Sequence, residues 1–263
     1  SVFLIGAAAS LLCIPLVLKC LPESLDFLVA RRPANALPRL NALLSRMRMP
    51  ELQALPPVPV RNGQRQGYAA LFVGDLRRVA LLIALAFFLH MFAFYFVLSW
   101  TPKLLVSAGV SAQQGITGGV LLNLGGIVGG SLFGWLASRW SLSKLTAGAL
   151  LLAMVSMLGF AAFNTQLGVA FPLAFVIGAA LFAAMAGLYA AAPVVFAAEV
   201  RTTGLGWAIG IGRVGAILSP LTVGVLVDGH WQPSALYVLC AVPLLLAAWA
   251  CLGLRVGVGQ NRR

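Results

Sequence analysis

Residues Val79–Thr101 read VALLIALAFFLHMFAFYFVLSWT, a run without Asp, Glu, Lys or Arg. Its apolar residues neither alternate nor keep to one narrow stripe, so a half-buried strand and an amphipathic surface helix both fit poorly. At about 1.5 Å per residue, a helix of this length crosses the roughly 30 Å hydrocarbon layer of a bilayer. Similar runs follow at Gly115–Ala137, Leu145–Phe163, Gly168–Ala192, Gly204–Val227 and Ala235–Leu254, and one precedes it at Ser1–Leu18. Short connections between the last six suit antiparallel neighbours. The expected fold is all-α: a polytopic membrane helix bundle of about seven spans.

Composition agrees. The 263 residues are 61% hydrophobic and 9% charged, with only six acidic side chains, and the mean hydropathy is +0.98. A soluble domain carries roughly 25% charged residues. Inside lipid the backbone must satisfy itself, which leaves helices or closed barrels. The net charge of +12 sits at the ends of apolar spans and is not interleaved with aromatics on a soluble module, so no nucleic-acid partner is expected. Cys13, Cys20, Cys240 and Cys251 lack metal-ligand spacing and read as buried spectators. No phosphate-cradling loop, metal constellation or nucleophile–base pair is present, and no cofactor is expected; GGIVGG at Gly125–Gly130 lies inside a span and reads as packing.

Charge also orients the chain. With the polar segment 19–78 placed in the cytoplasm, alternation brings Arg139, Lys144, Arg201, Arg255, Arg262 and Arg263 to the same side. Sixteen of the 18 basic residues are then cytoplasmic, leaving Lys103 outside and Arg213 within a span. This predicts an inner (plasma) membrane protein with its long loop and C-terminus cytoplasmic. The expected division is a terminal span at 1–18, a cytoplasmic loop at 19–78, six spans over 79–254 and a tail at 255–263. The chain opens at Ser1 inside an apolar run without a basic leader, which reads as a truncation through a span. Within the loop, Leu37, Leu40, Leu43 and Leu44 oppose Arg39, Arg46 and Arg48, giving a short basic amphipathic helix over Ala36–Arg48. Pro50–Pro59 and Arg61–Gly67 read as flexible linker.

Four strings resemble known motifs. LPESLDFLVARR at Leu21–Arg32 resembles the P-E-S signature closing a sixth helix. GWLASRWSLSK at Gly134–Lys144 resembles a G-x-L-a-D-R-x-G-r-[KR] loop, with Ser138 in place of its Asp and Ser141 in place of its Gly. EVRTTGLGWAIGIGRVGAILSPLTVGVLVD at Glu199–Asp228 resembles a helix opening R-x-T-G-x-G and continuing G-R-x-G-a-x-x-x-P. YFVLSWTPKLLVSAG at Tyr95–Gly109 resembles the Y-x-x-x-x-W-x-P end of a seventh helix. Together they resemble the major facilitator superfamily, in its aromatic acid:proton symporter branch, from the sixth helix onward. The resemblance implies one terminal span plus the six-helix C-terminal half. It also implies proton-coupled import of an aromatic or related organic acid by alternating access, with the missing N-terminal half as a further partner. In the motif loops it makes Gly134, Arg139, Lys144, Glu199, Arg201 and Gly204 gating or structural residues.

Arg213 is the candidate anchor for substrate. A guanidinium deep in the bilayer is costly unless it faces a cavity or a partner, and its planar fork suits a carboxylate. An internal ion pair with an acid from the missing half is the other reading. His90, at similar depth, titrates near neutral pH and is the proton-coupling candidate; a histidine tied to a neighbouring helix is the plainer alternative. Phe94, Tyr95 and Trp207 are candidate pocket aromatics, with Phe87 and Tyr189 as further ones, and Trp100 reads as an interfacial belt residue. Asn123 is either a substrate contact or an interhelical tie, and Gly115/Gly119, Gly125/Gly129 and Gly126/Gly130 are small-xxx-small pairs. The competing functions are a sugar, short organic acid or drug transporter of the same superfamily, a half-transporter acting as a homodimer, and a membrane-embedded enzyme. The enzyme reading is disfavoured because the two histidines, His90 and His230, lie far apart.

Overall fold

The computed structural model describes residues 2–20, 25, 28–29, 32–56, 67–107, 109–197 and 200–254. Every long element among them is a helix: α1 (Val2–Cys20), α2 (Ala36–Arg46), a short 3-10 turn (Tyr68–Phe72), α3 (Asp75–Ser107), α4 (Ala112–Ala137), α5 (Leu142–Phe163), α6 (Leu167–Val195), α7 (Arg201–Asp228) and α8 (Pro233–Gly253). Helices α3 to α8 are each long and apolar enough to cross a membrane, and α1 occupies the position of the first expected span. This is a multi-pass membrane protein. The chain divides into two compact units, Ser1–Gln64 and Arg65–Arg263.

In the first unit, α2 buries Ala36, Leu40 and Leu44 while Arg39, Arg46 and Arg48 stay exposed. Leu40 and Leu44 cluster with Leu28, flanked by Leu25, Val29, Leu43 and Leu55. The linker differs from the sequence reading over its described part. The Asn41 side-chain amide donates to the Leu52 carbonyl at 2.9 Å and accepts from the Leu52 N–H at 3.0 Å, while Arg32 donates to the Pro56 carbonyl at 2.7 Å. Prolines lack the N–H to form structure of their own, so side chains strap residues 52–56 down. On α1, Cys13 is exposed, whereas Cys240 and Cys251 in the second unit are buried; the expectation of buried cysteines holds for that pair and fails for Cys13, and the Cys20 side chain lies outside what the structure describes.

The second unit is a bundle centred on α3. More than half of the apolar window of α3 is buried (56%), against 28% for α4 and for α7, which present broad open flanks. Two seams set the architecture. Helices α4 and α6 touch almost backbone to backbone: a Cβ at Gly125 would strike the Phe175 carbonyl, one at Gly129 the Ala179 carbonyl, and one at Gly178 the Leu122 carbonyl. Helices α3 and α7 meet through Gly215, where a Cβ would reach the Phe88 carbonyl, and Gly212, which faces Phe87 and Met91. Without a hydrophobic drive between helices in lipid, such close approach supplies dispersion contact. Of the expected glycine pairs, Gly115 and Gly119 face Pro102, and Gly126 faces the Phe182 ring. Gly130 has no described neighbour within 4 Å.

A third seam joins α3, α5 and α8 around fully buried Tyr237. Its hydroxyl hydrogen-bonds Thr101 Oγ1 at 2.6 Å, and its ring lies 5.0 Å from Phe96 and 4.7 Å from Phe160. Connections are short and locally determined. Ser111 and Gln114 form a reciprocal capping box opening α4, Gly109 takes the left-handed conformation that ends the preceding turn (φ +94°), and Pro233 opens α8 at a position where its missing N–H costs nothing.

Candidate functional site

Arg213 and His90 lie close to the midpoints of α7 and α3. Arg213 is exposed on the open flank of α7, and its guanidinium donates to the Tyr95 hydroxyl at 3.0 Å. One donor of five is thus engaged and the rest of the fork is open. Among the described residues no carboxylate pairs with it.

The α3–α6 seam behind this pair is aromatic. Phe94 packs edge-on against Phe182 at 4.9 Å, and Phe87 packs perpendicular to Tyr189 at 5.4 Å. The helices run antiparallel, so residues seven apart on α3 meet residues seven apart on α6 in two rungs, about 10 Å apart along the axis. Phe94 also touches Tyr95 edge-on at 5.7 Å, which joins the upper rung to the Arg213 hydrogen bond. His90 lies between the rungs in sequence and stacks obliquely on Phe94 at 5.7 Å. It is fully buried, and neither ring nitrogen has a hydrogen-bond partner among the described residues. The reading of His90 as a histidine tied to a neighbouring helix is not what the structure shows.

Arg213, Tyr95, Phe94 and His90 therefore come together, as a guanidinium on a tyrosine backed by an aromatic wall. Phe182 completes the wall and was not singled out from sequence. Its spacing of seven from Tyr189 was the available signal. Trp207 stands apart: its indole N–H donates to the Ala80 carbonyl at 3.2 Å and its ring packs on Phe72 at 5.2 Å and Tyr68 at 6.5 Å. It fastens the start of α7 to the 3-10 turn and the start of α3. Asn123 also stands apart. Its amide donates back to the Gly119 carbonyl at 2.8 Å, and it lines a largely apolar cavity of about 400 Å³ with Leu98 and Pro102 of α3. Among the described residues no hydrogen bond to another helix makes it an interhelical tie.

Among the described residues, Arg213 is thus exposed beside stacked aromatic edges, on a flank left open by its own bundle. The model of the Major Facilitator Superfamily matches residues 1–220. The chain belongs to this superfamily. It is 32% identical to a benzoate transport protein of Acinetobacter baylyi, over 86% of this chain and 48% of that protein. It is 29% identical to a gallate transporter of Pseudomonas putida over 96% of this chain and 56% of the relative. It is 27% identical to the 4-hydroxybenzoate transporter PcaK of Acinetobacter baylyi over 95% of this chain and 56% of the relative. The chain spans about half the length of the curated relatives it matches. These are transporters and not enzymes.

Within this major facilitator bundle, in the loop between α4 and α5, Arg139 lies over the Trp135 ring at 4.5 Å, and Ser138 donates to the Trp135 carbonyl at 2.7 Å. With serine where the motif has aspartate, the arginine finds an indole face in place of an acidic group. Lys144 lines an apolar cleft. No described atom lies within 4 Å of the Cβ direction of Gly134. Gly204 is buried under the Phe196 ring, where a Cβ would sit 2.6 Å from ring carbons, and Arg201 is exposed in the first turn of α7. Glu199 lies outside the described residues. Trp100 is half-buried: its indole nitrogen has no hydrogen-bond partner among the described residues, its ring lies 3.6 Å from the Cβ direction of Gly224, and Lys103 stands over the ring at 5.1 Å.

Proposed function

We propose that this chain is the C-terminal portion of a proton-coupled importer of aromatic acids, in which Arg213 receives the substrate carboxylate. The observation that carries the reading is the Arg213–Tyr95 hydrogen bond beside the Phe94–Phe182 wall. Tyr95 holds the fork in place, the remaining N–H donors take up a carboxylate in two-point fashion, and the aromatic edges pack against a ring. The relatives are named for benzoate, gallate and 4-hydroxybenzoate, molecules of that form. Asn123 and its cavity lie in the same half-bundle and offer a polar group for a ring substituent.

Proton coupling is assigned to His90, because a buried imidazole without hydrogen-bond partners is an expensive feature that packing alone does not call for. Alternating access follows from a binding face that a second half would cover and uncover. The long loop and C-terminus are placed in the cytoplasm, in the inner membrane, by the distribution of basic residues. The division at 1–18, 19–78, 79–254 and 255–263 belongs to the same proposal.

The test is uptake of labelled 4-hydroxybenzoate by cells expressing the protein. Arg213→Ala is expected to abolish uptake at an unchanged membrane level. Arg213→Lys, which keeps charge but loses the fork, should retain a small fraction. Wild-type uptake by Arg213→Ala removes Arg213 from the site. Uptake of sugars in preference to aromatic acids by the unmodified protein would place it in another branch.

A further inference from the structure

Helices α4 and α5 are joined by only a short turn, Ser138–Ser141, yet they diverge beyond it. Each packs along α6, and they touch one another only sparsely. A cleft of about 420 Å³ opens between them, backed by Ala179 and Ala183 of α6 and flanked by Leu132 and Leu152, each about half exposed (50% and 49%). A Cβ at Gly148, on the cleft wall, would meet no described atom within 4 Å.

The cleft is apolar along its length and closes on a basic, aromatic end. Lys144 is its one charged lining residue and stands beside Trp140, whose ring is 64% exposed. Arg139 follows in the same turn, held over Trp135. Neither the turn nor the lining carries an acidic residue. An apolar trough of this kind holds no water well. In a membrane-spanning helix pair it is filled from the bilayer, and an indole beside a lysine marks the headgroup depth. A basic cluster at that depth selects anionic headgroups.

We infer that the α4–α5 cleft seats one acyl chain of an anionic glycerophospholipid, with the phosphate on Lys144. The site lies apart from the Arg213–Tyr95 face and does not depend on what the protein transports. The lipid acts as a wedge that holds α4 and α5 apart while both stay packed on α6.

The test uses the protein extracted from its membrane in mild detergent, exchanged into an equimolar mixture of phosphatidylglycerol and phosphatidylcholine with identical chains, and weighed by native mass spectrometry. The unmodified protein should retain one lipid, favouring phosphatidylglycerol about fivefold, as expected for one basic contact at an anionic headgroup. Lys144→Gln should bring that preference toward parity while a lipid is still held. Gly148→Leu fills the cleft and should eliminate the retained lipid of either kind. If Gly148→Leu fails to fold, Ala183→Leu fills the same space from α6. Retention of the wild-type lipid by a folded cleft-filling variant, equal preference in the unmodified protein, or no retained lipid at all would each overturn the inference.

Discussion

Tyr95 shows how one hydroxyl can organise a charge that it does not neutralise. Its Oη accepts from Arg213 at 3.0 Å, fixing one edge of a long, rotamer-rich side chain. Tyr95→Phe removes that acceptor without disturbing the ring contact to Phe94. On an open face the hydrogen bond contributes about 1 kcal/mol or less, so substrate affinity should fall by up to about fivefold with maximal uptake largely kept. A complete loss of uptake would show Tyr95 to be more than a positioning residue. His90 gives the complementary case. A buried, unpartnered imidazole costs about 1–3 kcal/mol, and His90→Phe replaces it with an aromatic of similar breadth among aromatics. The variant is expected to keep or raise thermal stability, measured by unfolding in detergent, and to bind substrate while losing accumulation driven by a pH gradient. A destabilised His90→Phe, or one with normal gradient-driven accumulation, would make His90 structural. Arg213 and His90 were legible in the sequence because polar residues at mid-depth stand out against apolar neighbours. The hydrogen bond between Arg213 and Tyr95 was not: Tyr95 reads as a candidate pocket aromatic, but nothing in a sequence pairs it with a residue 118 positions away on another helix. Phe182 was hidden for a related reason: in a chain with 15 phenylalanines, one ring carries no signal until a second helix supplies its partner.

At the scale of elements, glycine position matters more than glycine number. Span limits could be read to within a few residues from hydropathy and caps, but the faces could not, since these helices are apolar all round. Gly129 and Gly130 are adjacent and indistinguishable as sequence. One is pressed against the Ala179 carbonyl, and the other has no described neighbour within 4 Å. Gly129→Ala should therefore force α4 and α6 apart, at an overpacking cost of about 1–3 kcal/mol, and lower both the unfolding temperature and the membrane yield. Gly130→Ala should be neutral or slightly stabilising, because it adds helix propensity at no steric cost. Equal behaviour of the two variants would mean that the α4–α6 seam is not packed in this register. Gly178, the partner from α6, carries no such signal because it forms no small-xxx-small pair with the other glycines of its helix, Gly168 and Gly187.

At the scale of the whole molecule, the uneven burial of the helices carries a topological consequence. Short turns force α3 to α8 to alternate in direction, so the starts of α3, α5 and α7 share one membrane face with the ends of α4, α6 and α8. That face receives Arg77, Arg78, Arg139, Lys144 and Arg201, while the opposite face has Lys103, Asp228 and His230. Basic residues near span ends resist translocation, which predicts a cytoplasmic first face and an outward-facing turn between α7 and α8. Two single-cysteine variants of a cysteine-free background read this directly. Gln232→Cys sits exposed at the start of α8, and Ser45→Cys sits exposed on α2. A membrane-impermeant maleimide applied to intact cells should label position 232 and reach position 45 only after permeabilisation. The reverse pattern would invert the bundle. It would put the arginine-rich loop outside and reverse the direction in which the Arg213 face must open to take up an acid from the medium.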